Sequence, residues 1–441
     1  MVGEKTQWLS IINKVPKISS HLMENIRKKV LGDTGFLERA RMNAENFTRR
    51  RLLPFDLVMF MILRLIRVSL QNEVEKIFKW LRIPRKPPTG EAFSKARNKI
   101  RWQAIEELFQ DSVETRCDGE ERLTWHGYRV SAIDGTKLAL PIDREKALLD
   151  QYGGMGADGA SPTAQASILH DIYNDITLDA RIAPLATSER ELAIQHIESL
   201  VKQKHFGKEL IIFDRGYPSY ELMSYLVDKE ITFVMRVKRK FNIDIDEMET
   251  GSDSDLIISS PDKREPGSLR VRVLKFDLPS GETEALITNL FDKRMGVNGF
   301  RQLYFKRWPI ETNYDIVKNK LEIERFSGLT DNAIKQEFYA TMLMNNLAAC
   351  LAREAQEEAD MQRVDKGNKY EYQINVNHEI GLLRDDFIDI LIEEDPEQRA
   401  VKLEKVLDLV TRAVEAVRPG RSMPRNKPRG VKHHHNRKPN R

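Results

Sequence analysis

The sequence predicts a layered α/β domain built on a mixed sheet, preceded by an all-helical domain. Apolar residues recur at three- and four-residue steps from about residue 20 to residue 115, which is the period of packed helices. Between residues 128 and 237, five β-rich runs and two helical patterns follow in the order βββαβαβ. That succession is typical of the ribonuclease-H-like fold, in which helices pack on a mixed sheet.

Length and composition agree with several folded domains. The chain has 441 residues, 41% apolar and 31% charged, which excludes a disordered protein. No segment approaches the ~20 uncharged residues of a membrane span, and no apolar block near the start indicates a signal peptide. Cys117 and Cys350 are far apart and have no His or Cys at ligand spacing. We therefore predict a soluble cytoplasmic protein that has no disulfide framework and does not bind membranes.

Charge is distributed unevenly along the chain. Residues 1–100 carry 21 Lys and Arg against 9 Asp and Glu, and residues 418–441 carry 9 basic residues and no acidic one. Residues 101–417 carry 41 basic and 58 acidic residues, a net charge of −17. Basic ends that bind a polyanion around an acidic centre fit metal-dependent chemistry on nucleic acid, although ordinary surface charge is the alternative.

The first predicted domain, residues 1–120, is helical. Prolines between residues 84 and 88 interrupt its pattern, and Thr89 begins the next helix. Basic clusters at residues 49–51 and 82–86 lie at turns and helix ends, where they either contact phosphates or are exposed helix-end charges. We predict that this domain binds DNA.

The second predicted domain, residues 121–360, contains the sheet. Its predicted elements are strands at 128–133, 166–172 and 176–184, a helix at 188–202, a strand at 209–213, a helix at 219–228 and a strand at 231–237. A capping box at residues 188–191 marks the start of its first helix. We predict a β insertion at about residues 240–299, with a loop at 252–267 followed by a hairpin.

The C-terminal part is predicted to be helical and then unfolded. Helical periodicity resumes at residue 302, and a helical region at 361–417 ends in a helix at 401–417. From residue 418 the content of Pro, Gly and Arg makes a folded core implausible, so residues 418–441 are predicted to be a basic arm.

Two acidic residues at strand ends are the first candidates for chemistry. Asp134 and Asp214 each follow a predicted strand, and a glycine lies within the next two residues. Open α/β sheets usually bind ligands at this position, although Asp-Gly is also the commonest turn signal.

A polar stripe on a later predicted helix is the second candidate. Its members lie at steps of 3, 4 and 7, on one helical face: Tyr304, Arg307, Glu311 and Lys318. The stripe is either an ion-pair surface or part of a phosphate site. Within it, Trp308 either stacks on an unpaired base or packs in the core. Pro309 either kinks one helix or begins a second.

These residues lie in segments that resemble the bacterial insertion-sequence transposases with an Asp-Asp-Glu triad and a Tyr-Arg-Glu-Lys signature. The similar segments are residues 131–136, 213–217, 286–290 and 304–318. The last contains the Tyr-x2-Arg-x3-Glu-x6-Lys spacing without a gap. The resemblance covers about residues 125–355, and the β insertion and basic arm are also similar to this family.

The resemblance implies a catalytic triad, in which Asp134, Asp214 and Glu311 bind Mg²⁺ or Mn²⁺. It also implies a set of DNA-contacting residues: Tyr304, Arg307, Trp308, Lys318 and Arg215. The implied partners are double-stranded DNA, as element terminal inverted repeats and as target, and a second copy of the chain in a synaptic complex. The implied location is the bacterial cytoplasm, at the nucleoid.

Physical chemistry agrees with these implications. Clustered carboxylates repel one another unless cations are present, and their hard oxygen ligands favour Mg²⁺ or Mn²⁺. Two such ions ~4 Å apart activate a water or a DNA 3′-hydroxyl and stabilise the leaving oxygen. Hydrolysis would free the element ends, and the same site would join them to target DNA. The alternatives are a ribonuclease-H-like nuclease without strand transfer and a catalytically inactive, transposase-derived DNA-binding protein.

Overall fold

A computed structural model of the chain describes residues 17–49, 51–119, 122–156, 159–262, 267–278, 281–364 and 369–418. Two sequence predictions fall outside the described residues: Arg50 of the first basic cluster, and the basic arm from residue 419 onwards. Among the described residues, no helix combines the length and the apolar character needed to cross a membrane.

In the part of the chain that the structure describes, six helices precede the sheet, as the periodicity predicts. They are α1 (Ile18–Gly32), α2 (Thr34–Ala40), α3 (Phe55–Leu63), α4 (Leu70–Trp80), α5 (Gly90–Arg97) and α6 (Trp102–Gly119). Helix α4 ends before the prolines, and the Thr89 hydroxyl caps α5 by accepting a hydrogen bond from the amide of Ala92 at 3.1 Å. The described basic residues of both clusters are exposed.

A nine-stranded mixed sheet forms the centre of the molecule. Its strands are β1 (Arg129–Ala139), β2 (Gly154–Met155), β3 (Ser161–Asp171), β4 (Ile176–Pro184), β5 (Glu209–Phe213), β6 (Thr232–Arg236), β7 (Asp253–Ser259), β8 (Ser268–Asp277) and β9 (Thr283–Thr288). The strand order is β4-β3-β1-β5-β6-β9-β8-β7, with β2 also paired to β3. The pairs β1/β5 and β5/β6 are parallel, and the other pairs are antiparallel.

Helices connect and cover these strands. Those within the sheet region are α7 (Ala147–Tyr152), α8 (Glu189–Leu200), α9 (Tyr220–Asp228) and α10 (Ile243–Glu247). After the sheet come α11 (Val297–Phe305), α12 (Pro309–Asp315), a π-helix (Ile316–Lys320), α13 (Asp331–Met361), β10 (Glu371–Ile374), α14 (Val376–Ile392), α15 (Pro396–Arg412) and β11 (Val414–Val417). Helix α8 packs on β3 and β4, and the long α13 packs on β4, α3 and α6.

Helix α13 contains a buried charge network that fastens the N-terminal helices to the rest of the chain. The Glu337 carboxylate accepts hydrogen bonds from Arg67 at 3.1 Å and from Arg97 at 2.9 Å, and all three side chains are at most 2% exposed. Buried charges of this kind are tolerated only when they are paired. The network therefore fixes the position of these helices on α13.

The sheet corrects the prediction that the first strand ends before Asp134. Parallel pairing with β5 does stop at Ile133, opposite Phe213. Antiparallel pairing with the eleven-residue β3 continues to Ala139, so Asp134 lies inside β1. Asp134 and Asp214 nevertheless follow the last paired residues of two neighbouring parallel strands, and they lie at the same place in the sheet.

The predicted loop at residues 252–267 was also wrong, because it contains the edge strand β7. The composition of this segment is polar because side chains of β7 form salt bridges with β8 and with the loop after β9. Asp253 binds Arg272 at 2.6 Å, and Asp255 binds Arg270 at 2.6 Å. Charged residues are usual on edge strands. The predicted hairpin is confirmed as β8 and β9, and β9 extends the central sheet by pairing with β6.

The predicted helix at residues 401–417 is shifted by five residues towards the N-terminus and keeps its length of 17 residues. Helix α15 begins at Pro396, which occupies its first turn, and ends at Arg412. Residues 414–417 instead form β11, whose backbone pairs with β10. Long-range strand pairing therefore ends the helix here, although the local periodicity would continue it.

Candidate functional site

Asp134 and Asp214 form the centre of the site. The amide of Gly135 donates a hydrogen bond to Asp134 Oδ1 at 2.9 Å, which orients that carboxylate. Burial raises the pKa of Asp134 to about 6, and the negative charges of Asp214 and Glu189 act in the same direction, against the Gly135 amide and Arg307. A carboxyl in such surroundings is stabilised as an anion by an added cation.

The predicted polar stripe lies on two helices and the turn between them. Helix α11 ends at Phe305, and Pro309 is the first residue of α12, so the second interpretation of Pro309 is confirmed. In the turn, the amides of residues 306–308 donate to carbonyls three residues earlier at 3.0–3.3 Å. This 3₁₀ pattern keeps the backbone rotating in the helical sense, so the stripe stays on one side.

Three of the four stripe residues contact one of the two aspartates or β1, and the fourth, Glu311, contacts Arg307. Tyr304 donates to Asp214 Oδ1 at 3.3 Å. The Arg307 guanidinium lies 2.5 Å from Glu311 Oε1 and 3.6 Å from Asp134 Oδ2. The ammonium of Lys318 donates to the carbonyl of Lys137 at 2.8 Å, three residues beyond Asp134.

Arg307 is the electrostatic centre of this arrangement. Burial alone would lower its pKa, but Tyr304, Glu311 and the two aspartates more than compensate and raise it. Burial, with the charge of Asp214, raises the pKa of Tyr304, so its hydroxyl stays a hydrogen-bond donor. Burial lowers the pKa of Lys318. The guanidinium thus serves as the internal counterion of Asp134 and Glu311.

The donor chemistry fits a divalent cation, but the carboxylates do not form a closed ligand set. Within the part of the chain that the structure describes, no group of three His, Cys, Asp or Glu side chains is close enough to hold a metal ion. Arg307 lies between Asp134 and Glu311 and separates them. Hard carboxylate oxygens are the ligands that Mg²⁺ and Mn²⁺ prefer. Binding an ion between these carboxylates would require Arg307 to give up at least one of its two contacts.

Aromatic side chains surround the turn on its solvent side. Trp308 is 57% exposed and Phe305 is 55% exposed, so the alternative that Trp308 packs in the core was wrong. Arg215, directly after Asp214, is also exposed. Exposed aromatic rings beside a site rich in polar groups are suited to stacking on unpaired bases. Sequence reasoning did not single out Phe305.

Glu189 is a further acidic residue of the site that sequence reasoning used only as part of a capping box. The Ser188 hydroxyl caps that helix, α8, since it accepts from the Glu191 amide at 3.1 Å. A Cβ atom added to Gly135 would lie 3.0 Å from Glu189 Oε1, and one added to Gly216 would lie 3.7 Å from its Oε2. The Glu189 carboxylate therefore lies between the glycines that follow Asp134 and Asp214. No local pattern reveals this, because the packing of α8 against the sheet creates it.

Arg190 and Tyr314 hold this arrangement in place. The Arg190 guanidinium donates to the carbonyls of Gly216, Tyr217 and Pro218 at 3.0–3.2 Å, which fixes the start of α8 against the loop after Asp214. The Tyr314 hydroxyl donates to the backbone carbonyl of Asp134 at 2.7 Å. The loop and the strand that carry the aspartates are therefore both anchored by side chains.

Comparison with known proteins identifies the family. The family described as "Transposase DDE domain" matches residues 125–347, a segment that contains every residue of this site. The chain belongs to this family.

The relatives of this DDE family member are themselves described as transposases. It is 28% identical over 154 residues to "Putative transposase y4zB" of Sinorhizobium fredii, a match of 32% of this chain and 42% of that protein. It is 23% identical over 157 residues to "Probable transposase for insertion sequence element IS5377" of Geobacillus stearothermophilus, 34% of this chain and 41% of that protein. The chain thus spans less than half the length of these relatives.

One solved structure is similar over most of the chain. It is a cryo-EM structure of the piggyBac transposase synaptic complex with hairpin DNA, with a TM-score of 0.47 and 10% sequence identity. The alignment covers 87% of this chain and 85% of that one.

Proposed function

We propose that this chain is a metal-dependent DNA transposase that binds the ends of its element, hydrolyses them and joins the 3′-hydroxyl ends to target DNA. The observation that supports this most strongly is the convergence of Asp134, Asp214, Arg307 and Glu311 within the segment that matches the transposase family. A ribonuclease-H-like fold is part of the proposal. It is supported by three antiparallel strands, β4-β3-β1, followed by the parallel β5 and β6.

Asp134, Asp214 and Glu311 would hold Mg²⁺ or Mn²⁺ in this proposal. When bound, the ions supply an activated water or 3′-hydroxyl and neutralise charge on the leaving oxygen. The chain's own carboxylates orient these groups, and no protein nucleophile is required. Glu189, between the two glycines, adds negative charge at the same edge of the sheet.

The other residues bind and orient DNA. Arg307 would exchange its contact with Asp134 for a DNA phosphate, because a guanidinium binds phosphate in a geometry similar to its binding of carboxylate. Lys318 and the exposed Arg215 would contact the backbone on either side of the cut. Tyr304 would hold Asp214 in place while its hydroxyl borders the phosphate. Trp308 would stack on a base at the cut end.

The remaining parts of the chain complete the proposed organisation. Residues 1–120 would bind double-stranded DNA at the terminal inverted repeats, 121–360 would carry the chemistry with an insertion at about 240–299, and 361–417 would be a helical region. The basic arm at 418–441 would bind DNA. A homodimer would hold two ends in one synaptic complex, at the nucleoid of a bacterial cytoplasm.

The test is a cleavage and joining assay with the full chain, a duplex carrying the element's end, and a plasmid target. We expect Mg²⁺- or Mn²⁺-dependent release of the end and its transfer to the plasmid. Glu311→Gln should cut slower by orders of magnitude while its end-binding Kd stays close to that of the parent. Cutting without transfer would support the nuclease alternative. Normal cutting by Glu311→Gln, or in excess chelator, would refute the proposal.

A further inference from the structure

A fully buried chain of three polar side chains leads to the backbone of Asp134. His196 of α8 lies with Nδ1 2.7 Å from Asp179 Oδ2 of β4 and with Nε2 3.0 Å from Ser167 Oγ of β3. Ser167 in turn donates to the carbonyl oxygen of Asp134 at 3.1 Å. All three side chains have a relative exposure of 0%. The hydrogen bonds between these three side chains therefore connect three neighbouring strands and one helix through the protein interior.

The three residue types are those of a nucleophilic triad, but their burial excludes that role. A serine nucleophile has to reach its substrate, and Ser167 has no exposed surface. Burying three polar groups is unfavourable unless each is hydrogen-bonded, whereas apolar residues would fill the same space without that requirement. These three residues must therefore act through what they contact, which is Arg181 and Gln110 at Asp179 and the backbone of Asp134 at Ser167. Of these contacts, the one with Asp134 belongs to the candidate site.

The positions of the protons determine which group donates in each of these hydrogen bonds. A serine hydroxyl has one hydrogen, so when Ser167 donates it to Asp134, the imidazole Nε2 has to donate to Ser167. Nδ1 faces the Asp179 carboxylate, which also accepts from the Arg181 guanidinium at 2.8 and 3.1 Å. For all of these hydrogen bonds to form, His196 needs one proton on Nε2, and another proton has to lie between its Nδ1 and the Asp179 carboxylate. Asp179 fixes the imidazole, and the imidazole fixes Ser167.

Asp134 is the residue of β1 at which such support has an effect. Parallel pairing with β5 ends one residue earlier, at Ile133. Beyond that point the Asp134 carbonyl accepts from two hydroxyls, those of Ser167 and Tyr314, at 3.1 and 2.7 Å. The side chain of the same residue is held by the Gly135 amide. Backbone and carboxylate orientation are therefore fixed together.

We infer that Ser167, His196 and Asp179 are positioning residues that hold Asp134 in the orientation needed to bind the divalent ion. The inference rests on the proposed function, because it assigns its effect to Asp134 as a ligand. Groups that orient a metal ligand typically change metal affinity or activity by 10- to 100-fold when they are removed. Binding of DNA ends should be unaffected, since none of the three side chains reaches the surface.

The test compares Ser167→Ala with Ser131→Ala in the full chain bound to a duplex carrying the element's end. Ser131 is an equally buried serine of β1, whose hydroxyl has no hydrogen-bond partner among the described residues. Free Mn²⁺ is measured by electron paramagnetic resonance, alongside single-turnover cleavage and the end-binding Kd. We expect Ser167→Ala to lower Mn²⁺ affinity and cleavage each by about tenfold or more with Kd within about twofold. Ser131→Ala should stay within about twofold in all three measurements.

Two substitutions of His196 give a second test that does not depend on Ser167→Ala folding. The amide nitrogen of glutamine can replace Nε2 as donor to Ser167, whereas asparagine can replace only Nδ1. We therefore expect His196→Gln to keep most of the Mn²⁺ affinity and His196→Asn to lose it. Equal behaviour of these two variants, or of Ser167→Ala and Ser131→Ala, would overturn the inference. Asp134→Asn separates this result from the proposed function: if that variant cleaves normally, the proposed function itself is wrong.

Discussion

At the scale of single residues, the proposed function makes Arg307 the group that would respond to both metal and DNA. Its guanidinium neutralises Asp134 and Glu311 in the chain alone, and the same charge is suited to a phosphate. An arginine with both roles competes with metal cations for the carboxylates before DNA binds, and it assists the binding of a DNA phosphate afterwards. Lys318 differs, because its ammonium is bound to a backbone carbonyl and not to either carboxylate.

Arg307→Ala should therefore affect metal and DNA in opposite directions. Without DNA, we expect the affinity for Mn²⁺ to rise about three- to tenfold, because a competing positive charge is removed. Cleavage should fall at least about tenfold and end binding should weaken, because the guanidinium contributes to both ground state and transition state. Lys318→Ala is the control, with weaker DNA binding and unchanged Mn²⁺ affinity. A lower Mn²⁺ affinity in Arg307→Ala would show that the guanidinium is not a competitor.

Asp134→Asn should stabilise the metal-free protein at neutral pH. In the folded chain the pKa of Asp134 is raised from 3.8 to about 6, so its ionisation favours the unfolded state, and stability is lost as pH rises from about 4 to about 6. Asparagine does not ionise, so the variant does not lose this folding stability as pH rises. At pH 7.5, with chelator present, we expect the variant to exceed the parent by roughly 2–3 kcal/mol in the free energy of unfolding. Urea titrations should show the difference vanish near pH 3.5, and a pH-independent difference would contradict this origin.

At the scale of elements, the edge strand β7 depends on one buried arginine. Arg272 of β8 is 0% exposed and binds Asp253 in a bidentate pair at 2.6 and 2.7 Å. The neighbouring pair of Asp255 with Arg270 is similar in distance, but the Arg270 side chain is 66% exposed. Solvent screens the second pair and not the first, so only the first should hold the strand in register.

Asp253→Ala and Asp255→Ala form a matched pair that tests this difference. Removing Asp253 leaves a buried guanidinium without its carboxylate, at a cost of about 2–4 kcal/mol. Removing Asp255 should cost at most about 1 kcal/mol. Hydrogen exchange of residues 253–259 should accelerate strongly in the first variant and little in the second. Equal exchange in both variants would mean that the Arg272 pair does not hold β7.

Some of these elements could be predicted from the sequence and others could not. The helices of residues 18–119 and the hairpin β8/β9 follow from periodicity and turn residues, which are local properties. Strand β7 and the length of β1 do not, because pairing partners far along the chain determine them. For the site, the spacing of residues predicts the stripe from Tyr304 to Lys318. The position of Glu189 and the hydrogen bonds that join Asp179, His196 and Ser167 depend on tertiary packing of α8 against paired strands.

At the scale of the whole molecule, the charge distribution agrees with the proposed division between DNA binding by the basic ends and chemistry in the acidic centre. The acidic centre contains the site, and its net charge of −17 would repel DNA if it acted alone. The described N-terminal helices are attached to this centre through the buried network of Arg67, Arg97 and Glu337. Under the proposed function, attraction by the ends has to exceed repulsion by the centre, and most of the affinity for DNA should depend on salt.

Deleting residues 418–441 tests how much of that affinity the arm supplies. The segment has nine Lys and Arg and no acidic residue. If about four to six of these charges neutralise phosphates, the slope of log K against log salt for duplex DNA should become less steep by roughly 4–5 units. The control is the full-length protein with Asp255→Ala, which changes one acidic residue outside the arm. Its slope should stay within about one unit of the parent's. Because counterion release is independent of sequence, the deletion should weaken random duplex and element ends alike. A slope equal to that of the full chain would show that the arm does not contact DNA, and a loss confined to element ends would show that it reads sequence.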